Sequence, residues 1–409
     1  GILLCSMLGG MRAVTWTQVA QYIVLIIAYV VPVVWMSNKQ GFGMIPHISY
    51  GDAVARVSEL EVMHQVGILT SPNEAGLPAL KTLHSVAADT FMAKWKFATL
   101  VLCMMAGTAS LPHILMRYFT TPSVRDARKS VAWSLLFIFM LYFTAPALAT
   151  FTKLQLLDPN LATGIIGKSF ADATALEWVK KWSEVKMLAL VDLNADGILQ
   201  INEFFMRGDI VVLATPEIAG LPYVVSGLVA AGGMAAAMST ADGLLLAIAN
   251  ALSHDLYYKM IDPTADTKKR LIVARVLLLG IGAGGAFIAS LKLTSILGAV
   301  AWAFDFACSG LFFPLVLGIW WKRANRAGAL AGMFFGFFSG AIYLYMIQWG
   351  GMEPWMGIDG LRFGIIGMPI SLVSMVVVSL MTKEPDAEIQ AMVDEMRIPT
   401  GETVLSSTH

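Results

Sequence analysis

Long apolar runs constrain this chain more than any other feature of its sequence. A helix that spans a bilayer needs about 20 predominantly apolar residues, and such runs recur along the chain. They cover residues 14–36, 97–119, 130–152, 218–252, 271–291, 295–320, 327–347 and 362–382. Hydrocarbon cannot satisfy backbone polar groups, so these runs must be helical. The sequence therefore predicts an all-α polytopic membrane protein of the inner (plasma) membrane, in contact with the lipid bilayer.

The composition agrees with this class and excludes others. Hydrophobic residues make up 57% of the chain and charged residues 14%, against about 45–50% and about 25% in soluble domains. The formal net charge is +0, so no basic excess indicates nucleic acid. Cys5, Cys103 and Cys308 all lie in apolar runs, which implies no disulfide framework. Nothing in the sequence indicates an enzyme or an obligate protein partner.

Basic residues between the spans set the expected orientation. They cluster at 117–129, 259–270 and 322–326, each cluster two crossings from the next. By the positive-inside rule these loops are cytoplasmic. The polar tail 383–409 is then cytoplasmic too, and the long segment 153–209 lies outside.

Polar residues interrupt the apolar run 235–257. Ser239, Thr240 and Asp242 lie within it, and such groups inside a span usually line a cavity or an ion path. Ala236, Ser239 and Thr240 share one helix face because they are spaced i, i+3 and i+4. One carbonyl and two hydroxyls can thus face one small hard cation. Sodium is a cation that suits such ligands. The alternative is that both hydroxyls bond back to carbonyls of their own helix.

The span 97–119 contains a predicted break. Gly107, Thr108, Ser110 and Pro112 lie near its middle, and proline removes a helix hydrogen bond and restricts the preceding residue. Transporters bind substrates at discontinuous helices of this kind, where half-helix N-termini attract anions. An ordinary proline kink is the alternative.

Residues 192–203 (DLNADGILQINE) fit the EF-hand calcium loop at every position. Gly197 takes the sharp turn, and the run 175–191 predicts an entering helix. The ligands would be the side chains of Asp192, Asn194, Asp196, Gln200 (through water) and Glu203, and the carbonyl of Ile198. The alternative is a solvated acidic turn.

One further acid lies inside a span. Asp305 is the only acidic residue of the run 295–320, and an intramembrane carboxylate is a functional candidate by default. A proton- or cation-coupling role competes with a carboxyl group that neighbouring helices satisfy.

Four segments carry a resemblance to a known family. The chain resembles the sodium/solute symporter family, in the branch related to cation/acetate symporters. The segments, in order, are GGMRAVTWT (9–17), LPHILMRYFTTPSVRDARKS (111–130), AAAMSTADGLLL (235–246) and LGIWWKRANRAGALAGM (317–333). The branch is indicated by the insertion that carries the calcium-type loop and by VVLATPEIAGLP (211–222).

The resemblance implies a leucine-transporter-like fold of two inverted five-helix repeats. The chain starts within an apolar stretch, so we expect an N-terminally truncated, incomplete version: the second repeat plus the end of the first. The implied parts are the last two helices of the first repeat (1–36, the first one partial), an extracytoplasmic loop (37–92), the second repeat (93–320, with the insertion 153–209), two peripheral transmembrane helices (321–382) and a cytoplasmic tail (383–409).

The resemblance also implies site residues. Ala236, Ser239 and Thr240 match the family's sodium ligands, and Met104, Thr108 and Pro112 match its substrate-side positions. Many relatives have Asp where this chain has Gln18, followed here by Gln21. A neutral amide does not hold a cation as a carboxylate does, which favours interhelical hydrogen bonding by both glutamines.

We therefore expect a secondary active transporter that works by alternating access. It would couple sodium as the coupling ion to uptake of a small organic anion, acetate or a similar monocarboxylate, with Ca²⁺ in the extracytoplasmic loop. One alternative is sodium-coupled uptake of a neutral or zwitterionic solute such as proline. Another is a transporter-like membrane sensor. The tail 383–409 contains no signalling domain, which argues against a sensor.

Overall fold

A computed structural model describes residues 2–66, 83–84, 90–161 and 163–397, with backbone alone at residues 2–12 and 119–120. The α-helices are α1 (Ile2–Lys39), α2 (Tyr50–Met63), α3 (Phe91–Ser110), α4 (Pro112–Leu115), α5 (Val124–Leu157), α6 (Phe170–Ala175), α7 (Glu177–Glu184), α8 (Val211–Ile218), α9 (Tyr223–Asn250), α10 (Thr267–Ser290), α11 (Ile296–Ala307), α12 (Phe313–Trp320), α13 (Arg326–Gln348), α14 (Gly364–Met381) and α15 (Ala387–Glu395). The strands are β1 (Leu188–Leu190) and β2 (Phe204–Met206).

Short 3₁₀ and π segments join several of these elements. The 3₁₀ segments are Met116–Thr120, Ile201–Glu203, Gly208–Ile210 and Trp355–Gly357, and the π-helical segments are Ala251–Ile261 and Cys308–Phe312. The first π segment continues α9, and the second joins α11 to α12. The chain divides into two compact units: unit 1 comprises Gly1–Ala87 and Ala132–Asp242, and unit 2 comprises Ala88–Val131 and Gly243–His409.

The predicted spans are confirmed. Among the described residues, 7 helices are long and apolar enough to cross a membrane. An eighth crossing is formed if α3 and the segment Pro112–Tyr118, which meet at a 47° bend, count as one span. The apolar windows read from the sequence coincide with these helices.

One predicted helix boundary is wrong. Residues 1–8 and 14–36 were expected to belong to two successive helices, but α1 runs without interruption from Ile2 to Lys39. Gly9 and Gly10 lower helix propensity without removing a hydrogen bond, whereas a proline at that point would have ended the helix.

Unit 1 contains a helix in a segment that was predicted to be an extracytoplasmic loop. Within the expected loop 37–92, α2 buries Ala53, Val57 and Leu60 on one face. Glu61 of α2 forms a buried ion pair with Lys153 of α5. The spacing of the buried residues is that of a helix face, so the sequence did contain the signal for this helix.

The insertion in unit 1 forms a small α/β subdomain rather than a helix that leads into a loop. The predicted entering helix 175–191 is correct only in part: α7 covers Glu177–Glu184, and the extended Leu176 separates it from α6. Lys186 then takes a φ of 57°, in the left-handed region, and the chain enters β1 instead. β1 pairs antiparallel with β2, with Ala189 opposite Phe205. A compact apolar core that includes Leu188, Phe204 and residues of α2 and α5 fixes this subdomain.

Unit 2 is organised by close backbone packing. Gly328, Gly332, Gly336 and Gly340 lie four residues apart along α13, and they meet α14 or the π segment that follows α11. A Cβ at Gly336 would lie 2.1 Å from the carbonyl oxygen of Ser309. Small residues of this kind let helices approach closely in a membrane, where apolar burial does not drive association.

Candidate functional site

The residues proposed to bind sodium lie together on α9 in unit 1. Thr240 Oγ1 donates to the carbonyl of Ala236 over 3.4 Å, which is long for such a bond. The hydroxyl of the half-buried Ser239 has no hydrogen-bond partner among the described residues. The back-bonding alternative is therefore fulfilled weakly for Thr240 and not at all for Ser239. Both hydroxyls and the Ala236 carbonyl are available to an ion on this face.

A glutamine of α1 fixes this part of α9. Gln18 Nε2 donates to the carbonyl oxygen of Ser239 over 2.7 Å, and Gln18 is 9% exposed. The predicted interhelical hydrogen bond of Gln18 is thus confirmed. Gln21, one turn further along α1, has a buried Oε1 without a partner in the part of the chain described, so the same prediction is not met for its acceptor atom.

A carboxylate completes the polar cluster. Asp242 of α9 is fully buried, and it lies i+3 from Ser239, on an adjacent turn of the helix. A carboxylate inside a membrane span is costly unless it is paired with a cation, a proton or a hydrogen-bond donor. Unit 1 therefore brings a carboxyl group and neutral oxygens together within about two turns of α9. We refer to Ala236, Ser239, Thr240 and Asp242 as the α9 cluster.

A cavity adjoins the α9 cluster. A cavity of about 250 Å³ lies beside Ala236, between Leu25, Tyr29, Leu141 and Gly232. The residues that line it are almost all apolar, so it offers a cation little to replace its hydration shell.

The residues proposed to bind substrate lie at the broken helix of unit 2. The predicted break is confirmed: Leu111 has φ −69° and ψ 119°, and Pro112 begins α4. Ser110 Oγ bonds back to the carbonyls of Ala106 and Gly107, which satisfies backbone groups close to the break.

The two faces of α3 differ. Cys103, Ala106 and Gly107 are buried, whereas Met104 is half-buried and Thr108 and Pro112 are exposed. A Cβ at Gly107 would lie 2.6 Å from the carbonyl oxygen of Phe304, so this face packs directly on α11. Thr108 Oγ1 donates to the Met104 carbonyl over 2.7 Å. Its acceptor lone pairs stay available, so Thr108 can accept a hydrogen bond but has already used its proton.

The calcium-type loop has the internal hydrogen bonds of a closed loop. Asp192 Oδ2 accepts from the Gly197 amide over 3.1 Å, and Asn194 Oδ1 accepts from the Asp196 amide over 3.0 Å. Gly197 has a φ of 72°, as the sharp turn at this position requires. Glu203 is fully buried, and its carboxylate accepts from the amides of Leu193 and Gln200. The loop thus holds its position-12 carboxylate against its position-2 and position-9 amides.

One oxygen of the loop is left for a cation. Asp192 Oδ1 is buried and has no hydrogen-bond partner in the part of the chain described. The side-chain amides of Asn194 and Gln200 both donate to Asp196 Oδ2 over 2.9 Å and would have to turn away for that oxygen to bind a cation. The Ile198 amide, together with these two donors, holds the pKa of Asp196 below its ordinary value. Asp196 is therefore a carboxylate at neutral pH, as calcium binding requires.

The loop departs from a standard EF-hand in its flanks. The chain enters from β1 and leaves through the 3₁₀ segment Ile201–Glu203 into β2, so no helix flanks the loop on either side. An antiparallel bridge joins Ile198 to Ser169, which supports the loop where a second EF-hand would otherwise pair.

These features define a class of protein. Helices long enough to span a bilayer, a broken helix in one unit and a polar cluster inside an apolar helix of the other are the parts of a secondary transporter. They are not the parts of an enzyme active site, and the comparisons below agree.

The chain belongs to the sodium:solute symporter family, whose sequence profile matches residues 2–177 and 210–336. An uncharacterised symporter of Cupriavidus necator is 37% identical, over 97% of this chain and 70% of that protein. A monocarboxylic acid transporter of Corynebacterium glutamicum is 23% identical, over 97% of this chain and 64% of that protein. The chain thus spans between 64% and 70% of the length of these relatives.

A solved structure has a similar fold. A Na⁺-coupled sialic acid symporter, in a substrate-bound outward-open state, matches with a TM-score of 0.55 and 15% identity, over 94% of this chain and 66% of that one. The predicted all-α, leucine-transporter-like fold class is confirmed, as are the multi-pass location in the plasma membrane and the assignment to transporters rather than enzymes. Sodium-coupled symport is the class of function that these comparisons support.

The contact between Gln18 and Ser239 gives a first test. Replacing Gln18 with Ala removes a hydrogen bond between α1 and α9, worth about 1 kcal/mol in a membrane protein. We expect a lower melting temperature for Gln18→Ala than for Gln21→Ala, because only Gln18 donates across to α9. Thermal unfolding of the purified protein in detergent measures both. Equal melting temperatures would show that the bond contributes nothing to the stability of α9.

Proposed function

We propose that this protein couples the inward movement of sodium to uptake of a small monocarboxylate such as acetate, by alternating access. The observation that carries the proposal is the α9 cluster, in a chain that belongs to the sodium:solute symporter family. It combines the fully buried Asp242 with a serine, one turn away, whose hydroxyl has no hydrogen-bond partner among the described residues. The match to a monocarboxylic acid transporter supports the choice of substrate class.

Sodium would bind to the carbonyl of Ala236 and the hydroxyls of Ser239 and Thr240. Each offers a neutral oxygen, and a small hard cation prefers such ligands. Asp242 would supply the negative charge that offsets the cost of bringing a cation into the apolar helix. Gln18 would hold the Ser239 carbonyl, and therefore this turn of α9, in position.

The substrate would bind at the broken helix, beside Met104, Thr108 and Pro112. A carboxylate needs hydrogen-bond donors, and Pro112 interrupts the backbone hydrogen bonding of the span where α3 ends. Thr108 would shape the site, since its exposed side chain lies on the face of α3 that does not pack against α11. Occupation of both sites would favour the change between outward-open and inward-open states.

The loop at residues 192–203 would bind Ca²⁺ and stiffen the insertion. Its support is the spacing of its oxygen-bearing residues and a buried Asp192 Oδ1 that has no hydrogen-bond partner among the described residues. Asp192, Asn194, Asp196 and Glu203 would supply side-chain oxygens, Ile198 its carbonyl and Gln200 a bridging water. The loop lies between the two matched parts of the family profile, so it adds to the shared transport machinery and does not replace any of it.

The sodium site is tested by removing its hydroxyls. In the intact protein, Ser239→Ala with Thr240→Ala should raise the sodium concentration for half-maximal uptake by about tenfold, which corresponds to about 1.4 kcal/mol. Sodium-dependent uptake of labelled acetate into proteoliposomes measures it. Ser226→Ala, on the same helix but more than three turns away, is the matched control and should leave the requirement unchanged. An unchanged sodium requirement in the double variant would refute the assignment.

The substrate site is tested by filling it. Thr108→Trp should abolish acetate uptake while sodium still shifts the melting temperature, because the bulky ring occupies the substrate path and leaves α9 intact. Leu102→Trp is the control, since Leu102 is exposed and lies about 120° around α3 from Thr108. Normal uptake by Thr108→Trp would place this residue outside the substrate path.

The calcium loop is tested by its effect on stability. Millimolar calcium should raise the melting temperature of the wild type, because a ligand that binds only the folded state stabilises it by mass action. Glu203→Gln should lose most of that increment and Gln200→Ala a smaller part, because Glu203 would be a bidentate ligand and Gln200 acts through water. Magnesium should not substitute for calcium, since its octahedral shell fits this loop poorly.

The control is Glu184→Gln, which removes an exposed carboxylate from the same insertion. It should keep the full calcium increment. If calcium leaves the wild-type melting curve unmoved and calorimetry detects no binding, residues 192–203 form an acidic turn without a metal.

A further inference from the structure

A second cluster of metal-type ligands lies inside unit 2, away from the α9 cluster and the calcium loop. Cys103, Asp305 and Cys308 are each 0% exposed. The two thiol sulfurs and a carboxylate oxygen all lie within 4.8 Å of one another. Neither the sodium site nor the substrate site uses these three side chains.

The three side chains of this cluster come from two helices and a π-helical segment. Cys103 lies on α3 and Asp305 on α11, and Cys308 begins the π-helical segment Cys308–Phe312. Single π-helical turns occur frequently at functional sites. Gly364 at the start of α14 closes the cluster. A Cβ there would lie 2.3 Å from Cys308 Sγ and 2.8 Å from Asp305 Oδ1.

Asp305 has no cationic partner among the described residues. Neither of its oxygens makes a hydrogen bond of normal geometry there, and the nearest donors are the Cys103 thiol and the amides of Phe363 and Gly364. Each thiol has a backbone carbonyl as its acceptor, that of Arg362 for Cys103 and that of Asp305 for Cys308. The carboxyl group between the thiols is costly inside the membrane unless it binds a proton or a cation.

We propose that Cys103, Asp305 and Cys308 form a binding site for a thiophilic divalent cation of the zinc class. Two thiolates and one carboxylate are a ligand set that favours zinc or cadmium, whereas sodium, magnesium and calcium prefer oxygen alone. In a tetrahedral zinc site with Zn–S of about 2.3 Å, ligand atoms lie about 3.7 Å apart. The observed separations therefore need only a small contraction.

The charges of the proposed ligands suit a divalent cation. Binding removes one proton from each thiol, and the cation replaces the two positive charges that leave with these protons. The cation with two thiolates and the Asp305 carboxylate carries a net charge of −1. Because protons leave as the thiolates form, cadmium binding should weaken as the pH is lowered.

The position of the site indicates its effect. The cation would link α3 to α11 on the N-terminal side of the break at Leu111. It would lie on the face of α3 opposite to Thr108. Such a metal bridge would restrain α3 during any movement of the broken helix. The site shares no residue with the proposed sodium and substrate sites, so the proposal of a metal site can be tested independently of theirs.

Cadmium binding tests the site directly. The intact protein is purified in detergent with cadmium, freed of unbound metal, and analysed by elemental mass spectrometry and by the thiolate-to-cadmium absorption band. We expect one cadmium per chain. Cys103→Ser and Cys308→Ser should each weaken binding at least about 100-fold, and Asp305→Asn at least about tenfold. Cys5→Ser, which removes the remaining cysteine of the chain, is the matched control and should bind as the wild type does.

A measurement on the wild type alone covers the case in which the variants do not fold. X-ray absorption of the cadmium form should show two sulfur neighbours and oxygen in the first shell. The proposal is overturned if the folded wild type binds no cadmium, if its cadmium has fewer than two sulfur neighbours, or if the folded Cys103→Ser, Cys308→Ser double variant binds cadmium with unchanged affinity.

Discussion

Hydrocarbon offers no hydrogen-bond partner, so every polar atom inside a span of this chain must find one within the protein or bind an ion. This requirement explains the local details that otherwise look unrelated. Ser110 bonds back to its own helix close to the break, and Gln18 reaches across to the Ser239 carbonyl. At the Ser239 hydroxyl and the Asp305 carboxyl group the described part of the chain supplies no such partner, and the same requirement supports our proposals of a bound cation.

The two units meet this requirement differently. In unit 1 the α9 cluster combines neutral oxygens with one buried carboxylate, a set suited to a weakly held, exchangeable sodium ion. In unit 2 the thiols of Cys103 and Cys308 flank Asp305, a set suited to a tightly held soft cation. A transporter must release its coupling ion in each cycle, and this difference in ligand chemistry supports our proposal that the exchangeable ion binds at α9.

Much of the architecture could be predicted from the sequence, because the length and apolarity of a segment are enough to identify a membrane-spanning helix. The break at Pro112 could be predicted too, since proline disrupts the hydrogen bonding of its own helix. The helix predicted over 175–191 ends early, at Glu184, because the left-handed Lys186 leads the chain into β1, which pairs with β2. The sequence indicated that Gln18 bonds to another helix. Its particular partner, Ser239, and the proximity of Cys103 to Asp305 depend on tertiary contacts between distant segments, for which a single sequence carries no signal.

Transport in proteoliposomes tests the central claim, which is that sodium drives monocarboxylate uptake in this protein. Labelled acetate is supplied outside vesicles that hold the intact protein, with either an inward sodium gradient or an inward proton gradient alone. The account predicts accumulation above equilibrium with the sodium gradient and its loss when choline replaces sodium. Equal accumulation with the proton gradient alone, in the absence of sodium, would contradict it.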